Sequence, residues 1–264
     1  MKLGGVRLSI VSDAAWAPGL DTAAAWLAWA NDPYVIAGSG EAAVSAMPAM
    51  LRRRAGAMGK MALEAAYRCL DGKADVPTVF CSRHGECVRS VELLADLAQG
   101  QPLSPTSFSL SVHNAAAGLF SIARQDQASH AALAAGHSGV EHAVIEACGL
   151  LADGAAEVLL VVYDGFLPQI FEEFQDCQEQ PFAWAWLMQS APPAELAGTE
   201  SRNARSIISL SWNGLAGVET DALEREPASG RQPAGLEVLA FYLRQDPELI
   251  RTVDGRRWCW RRLA

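Results

Sequence analysis

The sequence predicts an α/β protein whose central sheet is covered by helices on both faces, and three observations carry that reading. Five consecutive apolar residues, Val158, Leu159, Leu160, Val161 and Val162, make a strand too apolar for one wet face, the mark of a buried parallel strand. Short apolar runs of strand length alternate along the chain with longer segments of helical period. Hydrophobic residues make up 50% and charged residues 19% of the 264 positions, enough apolar material to bury such a core.

Taken in order, residues 6–11 are an apolar run with β-branched members, a first strand, and Pro18-Gly19 marks the turn after it. Residues 22–30, with Trp26 and Trp29, have helical spacing. Residues 52–70 are rich in Ala and Met, with Met58, Met61, Leu63, Ala66 and Leu70 in helical period; they predict one long amphipathic helix that stops near Asp71-Gly72. Pro77 introduces a short strand over 78–81, and helical period returns over 88–97. Residues 111–124 are rich in small side chains and predict a further helix. Residues 131–135 suit a buried strand feeding directly into a helix over 140–151, and 157–163 is the buried strand of the opening argument. Beyond Gly165 the pattern predicts strands over 182–188 and 205–212, a helix over 235–244 and a final edge strand over 257–261. The segments 190–203 and 224–233, rich in Pro, Ala, Gly and charge, read as loops.

Composition narrows the function. A formal charge of -9 and a pI near 5.1 repel a phosphate backbone, so nucleic acid is not an expected partner. Two local basic patches, Arg52, Arg53, Arg54 with Lys60 and Arg256, Arg257 with Arg261, Arg262, fit solvated faces or docking of an acidic partner. Six cysteines with no C-x-x-C spacing read as reduced thiols. The amino-terminal apolar stretch is too short for a signal peptide, and no run approaches the roughly twenty apolar residues of a membrane span. A cytoplasmic protein without a membrane span is therefore expected.

The chemistry is sought first at the tight turn Ala134-Ala135-Gly136-His137-Ser138-Gly139. A residue there stands at the amino end of a helix, where unpaired amides favour negative charge, and nucleophiles are often placed so. Gly136 to Val140 also looks like the G-x-S-x-G elbow of α/β-hydrolases, with Val140 in the place of the last glycine. That fold needs a histidine after the acid that follows the serine, yet all five histidines lie at 84, 113, 130, 137 and 142. Cys148 sits mid-helix as a small core residue. Cys81 faces a loop carrying Arg83, His84 and Glu86, which is either a polar loop at a sheet edge or a thiol-activating one. His137 and His142, five apart on a predicted helix, do not share a face, so no metal site is expected. Neither G-x-x-x-x-G-K-[ST] nor G-x-G-x-x-G occurs, so no cofactor is expected.

The segment Ser111-Val112-His113-Asn114-Ala115-Ala116-Ala117-Gly118-Leu119-Phe120-Ser121-Ile122 resembles the S-x-x-N-x-A-A-G-x-x-S-I helix of β-ketoacyl synthases, members of the thiolase superfamily. Residues 52–66 look like that family's first long helix, 79–86 like its second strand and glycine loop, 131–147 like the segment with the active-site cysteine, and 151–164 like the following strand. The resemblance covers roughly 1–190 and implies a thiolase-like layered fold, an α/β/α half with a mixed, mostly parallel sheet. Residues 191–264 would then supply carboxy-terminal strands and a helix completing the same domain. The departures are decisive: the family's cysteine falls on His137 or, one residue earlier, on Gly136, beside Ser138, and no histidine follows His142. The resemblance therefore implies a non-catalytic, chain-length-factor-like subunit in polyene, fatty acid or polyketide biosynthesis, of the aryl-polyene type. Its partners would be an active ketosynthase subunit and an acyl carrier protein.

In that family the strand before the cysteine pairs across a two-fold axis, which here implicates Ala131, Leu133 and Ala135. The S-x-x-N helix reaches the partner's acyl tunnel, which implicates Val112, His113, Asn114, Ala116 and Phe120. If helix extends over them, Phe108, Val112, Ala116 and Phe120 lie four apart on one face, as tunnel floor or as plain core. Two rival readings are an independent condensing or acyl-transferring enzyme using Ser138 or His137, and a stand-alone acyl-binding homodimer.

Overall fold

Two strands that alternate strictly between two cores set the architecture. In β4 (Val158–Asp164), Val158, Leu160 and Val162 enter one core while Leu159, Val161 and Tyr163 enter the other, and all are buried. In β5 (Phe182–Ser190), Phe182, Trp184, Trp186 and Met188 enter the first core and Ala183, Ala185 and Leu187 the second. The computed structural model describes residues 4–192, 206–214 and 230–263.

The sheet has eight strands in the order β3-β2-β4-β5-β1-β6-β8-β7. They are β1 (Gly4–Trp16), β2 (Thr78–Cys81), β3 (His130–Leu133), β4, β5, β6 (Ser206–Gly214), β7 (Glu248–Val253) and β8 (Arg256–Leu263). Strands β3, β2 and β4 pair in parallel and all other pairings are antiparallel. Because β5 lies antiparallel to both β4 and β1, strands β1 to β4 all run one way; the amino-terminal half is mostly parallel with one reversed strand. The strands from 206 onward extend the same sheet beyond β1 as an antiparallel block.

Helices cover both faces. On one side lie α1 (Ala23–Asn31), α7 (Gly139–Ala152) and α8 (Ala234–Arg244), packed on Trp184, Trp186, Trp258 and Trp260. The rings of Trp184 and Trp186 sit 4.5 Å apart, and Trp184 donates its indole N–H to the Gly235 carbonyl at 2.9 Å. On the other side lie α3 (Ala57–Leu70) and α6 (Ala115–Arg124). There the sheet presents Ala183 and Ala185 and the helix presents Ala62, Ala65 and Ala66, all fully buried, so small residues on both partners let α3 lie close to β5.

Several expected elements are corrected. The helix over 52–70 is two helices, α2 (Ala49–Arg52) and α3, because Gly56 takes an extended conformation as the cap of α3. The helix over 111–124 begins only at Ala115; residues 111–114 form a turn after the short α5 (Pro105–Ser109), with the Ala115 amide bonded to the Val112 carbonyl. Phe108, Val112, Ala116 and Phe120 therefore do not share a helix face: Phe108 and Val112 are exposed, whereas Ala116 and Phe120 are core. Strand β3 spans four residues and is half-buried rather than buried, because it is the sheet's edge; Ala135 lies beyond it. Finally, β8 is interior, and the edge is β7, a strand the sequence reading missed after Asp246-Pro247. α4 (Cys87–Ala98) falls where expected. The loop expectations fall largely on 193–205 and 215–229, outside the described residues.

The turn between β3 and α7 is held by the carboxy-terminal hairpin. Gly136 has φ +54, the left-handed region, and a short 3-10 turn over Gly136–Ser138 leads into α7. Arg251 of β7 pairs with the fully buried Glu141 of α7, with Glu237 of α8 at 2.7 Å, and donates to the His137 carbonyl at 3.1 Å. Trp260 also donates to Glu141, at 3.2 Å, and Ser138 Oγ donates to Asp254 at 2.6 Å.

Removing one member of the buried pair strands the other. Arg251→Met is expected to lower unfolding free energy by about 3–5 kcal/mol in urea titrations, with Glu141→Leu added in the same chain restoring most of it. Gly136→Ala, whose new methyl group would meet no atom within 4 Å, is expected to cost about 1 kcal/mol through backbone conformation alone.

Candidate functional site

The strand-to-helix turn at Gly136 is the place where this architecture presents a reactive residue. Within the turn, Gly136 takes the left-handed conformation and carries no side chain. The next residue, His137, is part-exposed, with Nδ1 3.4 Å from an Asp176 carboxylate oxygen. Ser138 is buried, and its hydroxyl is committed to Asp254. His142 Nδ1 donates to the Ser138 carbonyl at 2.8 Å, not to the hydroxyl, and its ring packs edge-on against Trp258. No imidazole among the described residues hydrogen-bonds Ser138 Oγ, whose hydrogen-bonded acid is Asp254.

The cysteines are no better placed. Cys81 ends β2 directly beneath the turn, its sulfur 3.4 Å from where a methyl group on Gly139 would lie. Burial raises its thiol, and the carboxylates of Asp164 and Glu141 raise it further. Burial pushes Cys148 up to about 12. It also raises Cys177 to about 12, although Arg83 draws that thiol back down. These are thiols, not thiolates, at neutral pH.

What stands beside the turn is an ion cluster that the sequence reading did not assemble. Arg83, just past β2, is nearly buried and pairs with three carboxylates: Asp164 at 3.2 Å, Glu179 at 3.3 Å, and Asp176. Asp164 also accepts the Arg83 backbone N–H at 2.9 Å and the Ser82 hydroxyl at 3.0 Å. Burial pushes the Asp164 carboxyl up, and Arg83 counters this. One signal could have found it: Asp164 is a charged residue closing an otherwise apolar strand, a position that demands a buried partner. A cavity of about 480 Å³ opens here, walled by Arg83, His137, Asp176, Cys177, Glu237 and Arg251 among others. Among its polar lining groups, Arg83 pairs with Asp176 and Arg251 with Glu237.

The remaining sequence candidates lie on two surfaces. His113 turns inward, Nε2 donating to the Ser82 carbonyl at 2.9 Å, and packs so close to Gly85 that a β-carbon there would lie 2.7 Å from its ring. Ala116 and Phe120 are core, Phe120 in edge contact with Tyr67. Asn114 caps α6 and is exposed. Ala131 and Leu133 lie on the half-buried edge strand β3, followed by the half-buried Ala135. Phe108, Val112 and Ile122 are exposed at 67%, 48% and 63%. Among the described residues no group of three His, Cys, Asp or Glu side chains is placed to hold a metal ion, and no helix is long and apolar enough to cross a membrane.

Comparison with known proteins bears on the fold and the family. No curated protein sequence matches the chain. Among solved structures, a ketosynthase (ApeO) in complex with its chain length factor (ApeC) from Xenorhabdus doucetiae matches with a TM-score of 0.79 and 25% identity, over 97% of this chain and 100% of the matched one. The ishigamide ketosynthase/chain length factor matches with a TM-score of 0.67 at 14% identity, over 97% and 99%. A type II polyketide synthase acyl-carrier protein in complex with its ketosynthase matches with a TM-score of 0.66 at 12% identity, over 98% and 99%. These likenesses give the chain a thiolase-like α/β fold. The family described as "Beta-ketoacyl synthase, N-terminal domain" matches residues 26–261, nearly the whole sequence, and this chain, with glycine at its elbow, belongs to that family.

Proposed function

We propose that this chain is a non-catalytic, chain-length-factor-like subunit that pairs with an active ketosynthase and shapes the cavity for its acyl chain. The observation that carries the reading is the elbow itself: the apex is Gly136, the neighbouring serine is tied to Asp254, and Cys81 beneath is a buried thiol with a raised pKa. A turn so equipped positions backbone but attacks no thioester.

The partner face follows from exposure. Among the described residues strand β3 pairs on one side only, leaving an edge that a second strand can complete by backbone hydrogen bonds. The chain also leaves Phe108, Val112 and, on the helix α6 that packs on β3, Ile122 exposed, apolar surface that a lone protein has reason to cover. In this reading Ala131, Leu133 and Ala135 contribute to the pairing edge, and His113, Asn114, Ala116 and Phe120 set the shape of the helix behind it. The similarity to structures described as ketosynthase and chain length factor complexes supports the same assignment. An acyl carrier protein would deliver to the assembled pair in the cytoplasm, and the product would be a polyene of the aryl-polyene type. Residues 191–264 complete the same domain in this reading, a role supported by the pairing of β6 with β1 and by the Arg251 to Glu141 bridge.

Two outcomes are expected. Purified chain incubated with labelled acyl- and malonyl-carrier protein gives no condensation product and no acyl group on any of its six cysteines by intact mass; turnover without a partner contradicts the reading. Co-expressed with the ketosynthase encoded beside it, the chain co-elutes as a complex on size exclusion. Phe108→Arg with Val112→Arg abolishes that complex while shifting the chain's own stability by no more than about 0.5 kcal/mol, since both side chains are exposed.

A further inference from the structure

A second cavity, of about 470 Å³, lies on the opposite face of the sheet from the elbow cavity and plays no part in the reading above. Its walls come from the ends of three strands that run the same way. Trp16 and Pro18 follow β1, Gly85 and Glu86 follow β2, and Gly165 and Phe166 follow β4. The crevice outside the carboxyl ends of parallel strands is where open α/β sheets bind ligands. The first turn of α3 closes one side with Met58 and Met61, and Val88 of α4 closes another. The volume falls within the range of small-molecule sites, which are mostly apolar with a few fixed polar groups.

One polar group stands out in that wall. Glu86 is 9% exposed, and its carboxylate borders the cavity. Its closest cation is Arg89, with Nε 3.7 Å from Oε2, beyond hydrogen-bond length. Burial raises the Glu86 carboxyl, and Arg89 lowers it in part. A buried acceptor facing an apolar chamber favours a ligand that brings a donor to it. Glu41 at the rim is paired with Lys60, while Glu92, also in the wall, adds to the burial that works against charge at Glu86. A site that disfavours its own negative charge suits a neutral donor better than an ammonium, and its acidic wall repels a carboxylate head.

The geometry points to this cavity as a binding site for a small apolar molecule ending in a hydroxyl, its body against Trp16, Met58, Met61 and Phe166 and its O–H donated to Glu86. His113, assigned above to the helix behind the pairing edge, packs against Gly85 of the cavity wall, but the test below uses the chain alone and so does not depend on that pairing.

The test uses 4-propylphenol and its methyl ether, 4-propylanisole, which keeps the body and loses the donor, titrated into the purified chain by calorimetry. The phenol is expected to bind saturably and at least about tenfold more tightly than the ether, as sites built around a ligand hydroxyl discriminate. Glu86→Leu brings the two to within about threefold, mainly by weakening the phenol. Met58→Trp, which fills the chamber from the half-buried first turn of α3, removes binding of both while the chain keeps a cooperative thermal transition. Equal affinity for phenol and ether in the unaltered chain overturns the proposal. So does undiminished phenol binding in the Met58→Trp chain, or no saturable binding at about 1 mM phenol, which corresponds to roughly 4 kcal/mol.

Discussion

The constraint from which the rest follows is that β4 and β5 are buried on both faces. A strand has two faces because its side chains alternate, and each face that holds Val, Leu or Trp must be covered. The sequence meets that demand asymmetrically. On one face β5 presents Phe182, Trp184 and Trp186, and the covering helices α7 and α8 stand over wide rings. On the other it presents Ala183 and Ala185, and the Ala-rich face of α3 lies close. Exchanging large for small between the two faces would fill one core and hollow the other, so the register of β5 is fixed by volume as well as by apolarity.

Charge does the remaining positioning, at the end of the sheet where the elbow sits. Two buried arginines, Arg83 and Arg251, each hold several carboxylates and carbonyls from different elements. Such buried pairs add little net stability, because desolvation offsets the attraction, but a wrong arrangement leaves a bare charge and is strongly disfavoured. They therefore specify geometry. Arg251 ties β7 to the first turn of α7, and Arg83 ties the end of β2 to the loop after β4. The elbow stands between them, fixed on one side by Ser138 and Asp254.

Much of this was legible from residues alone, and the failures share a cause. β2, α4, α8 and the buried β4 were readable because period and punctuation agree: Pro77 before β2, a consecutive apolar run for β4, Asp71-Gly72 after α3. The segment 111–124 misled because small residues are compatible with both helix and turn, and nothing in Ser111-Val112-His113-Asn114 marks Asn114 as a cap rather than an interior residue. The helix over 52–70 misled in the same way, since apolar spacing persists across Gly56 even though the backbone does not. β7 was missed because a short exposed edge strand needs few apolar residues. At the site, the turn was visible in the sequence; the ion cluster was not. Arg83, Asp164, Asp176 and Glu179 are spread over almost a hundred positions and meet only through the sheet.

A glycine at the apex has its own physical logic. The left-handed conformation at that turn is strained for any residue with a β-carbon, and a protein tolerates such strain where the side chain performs chemistry. Where no chemistry is asked of the position, glycine removes the strain and keeps the turn, so the strand, the helix and the edge beside them stay in place. The space around Gly136 is open, and a β-carbon there would meet no atom within 4 Å, so the cost of a side chain is one of backbone conformation alone. Such a turn retains its architectural role, joining β3 to α7 in a fixed arrangement.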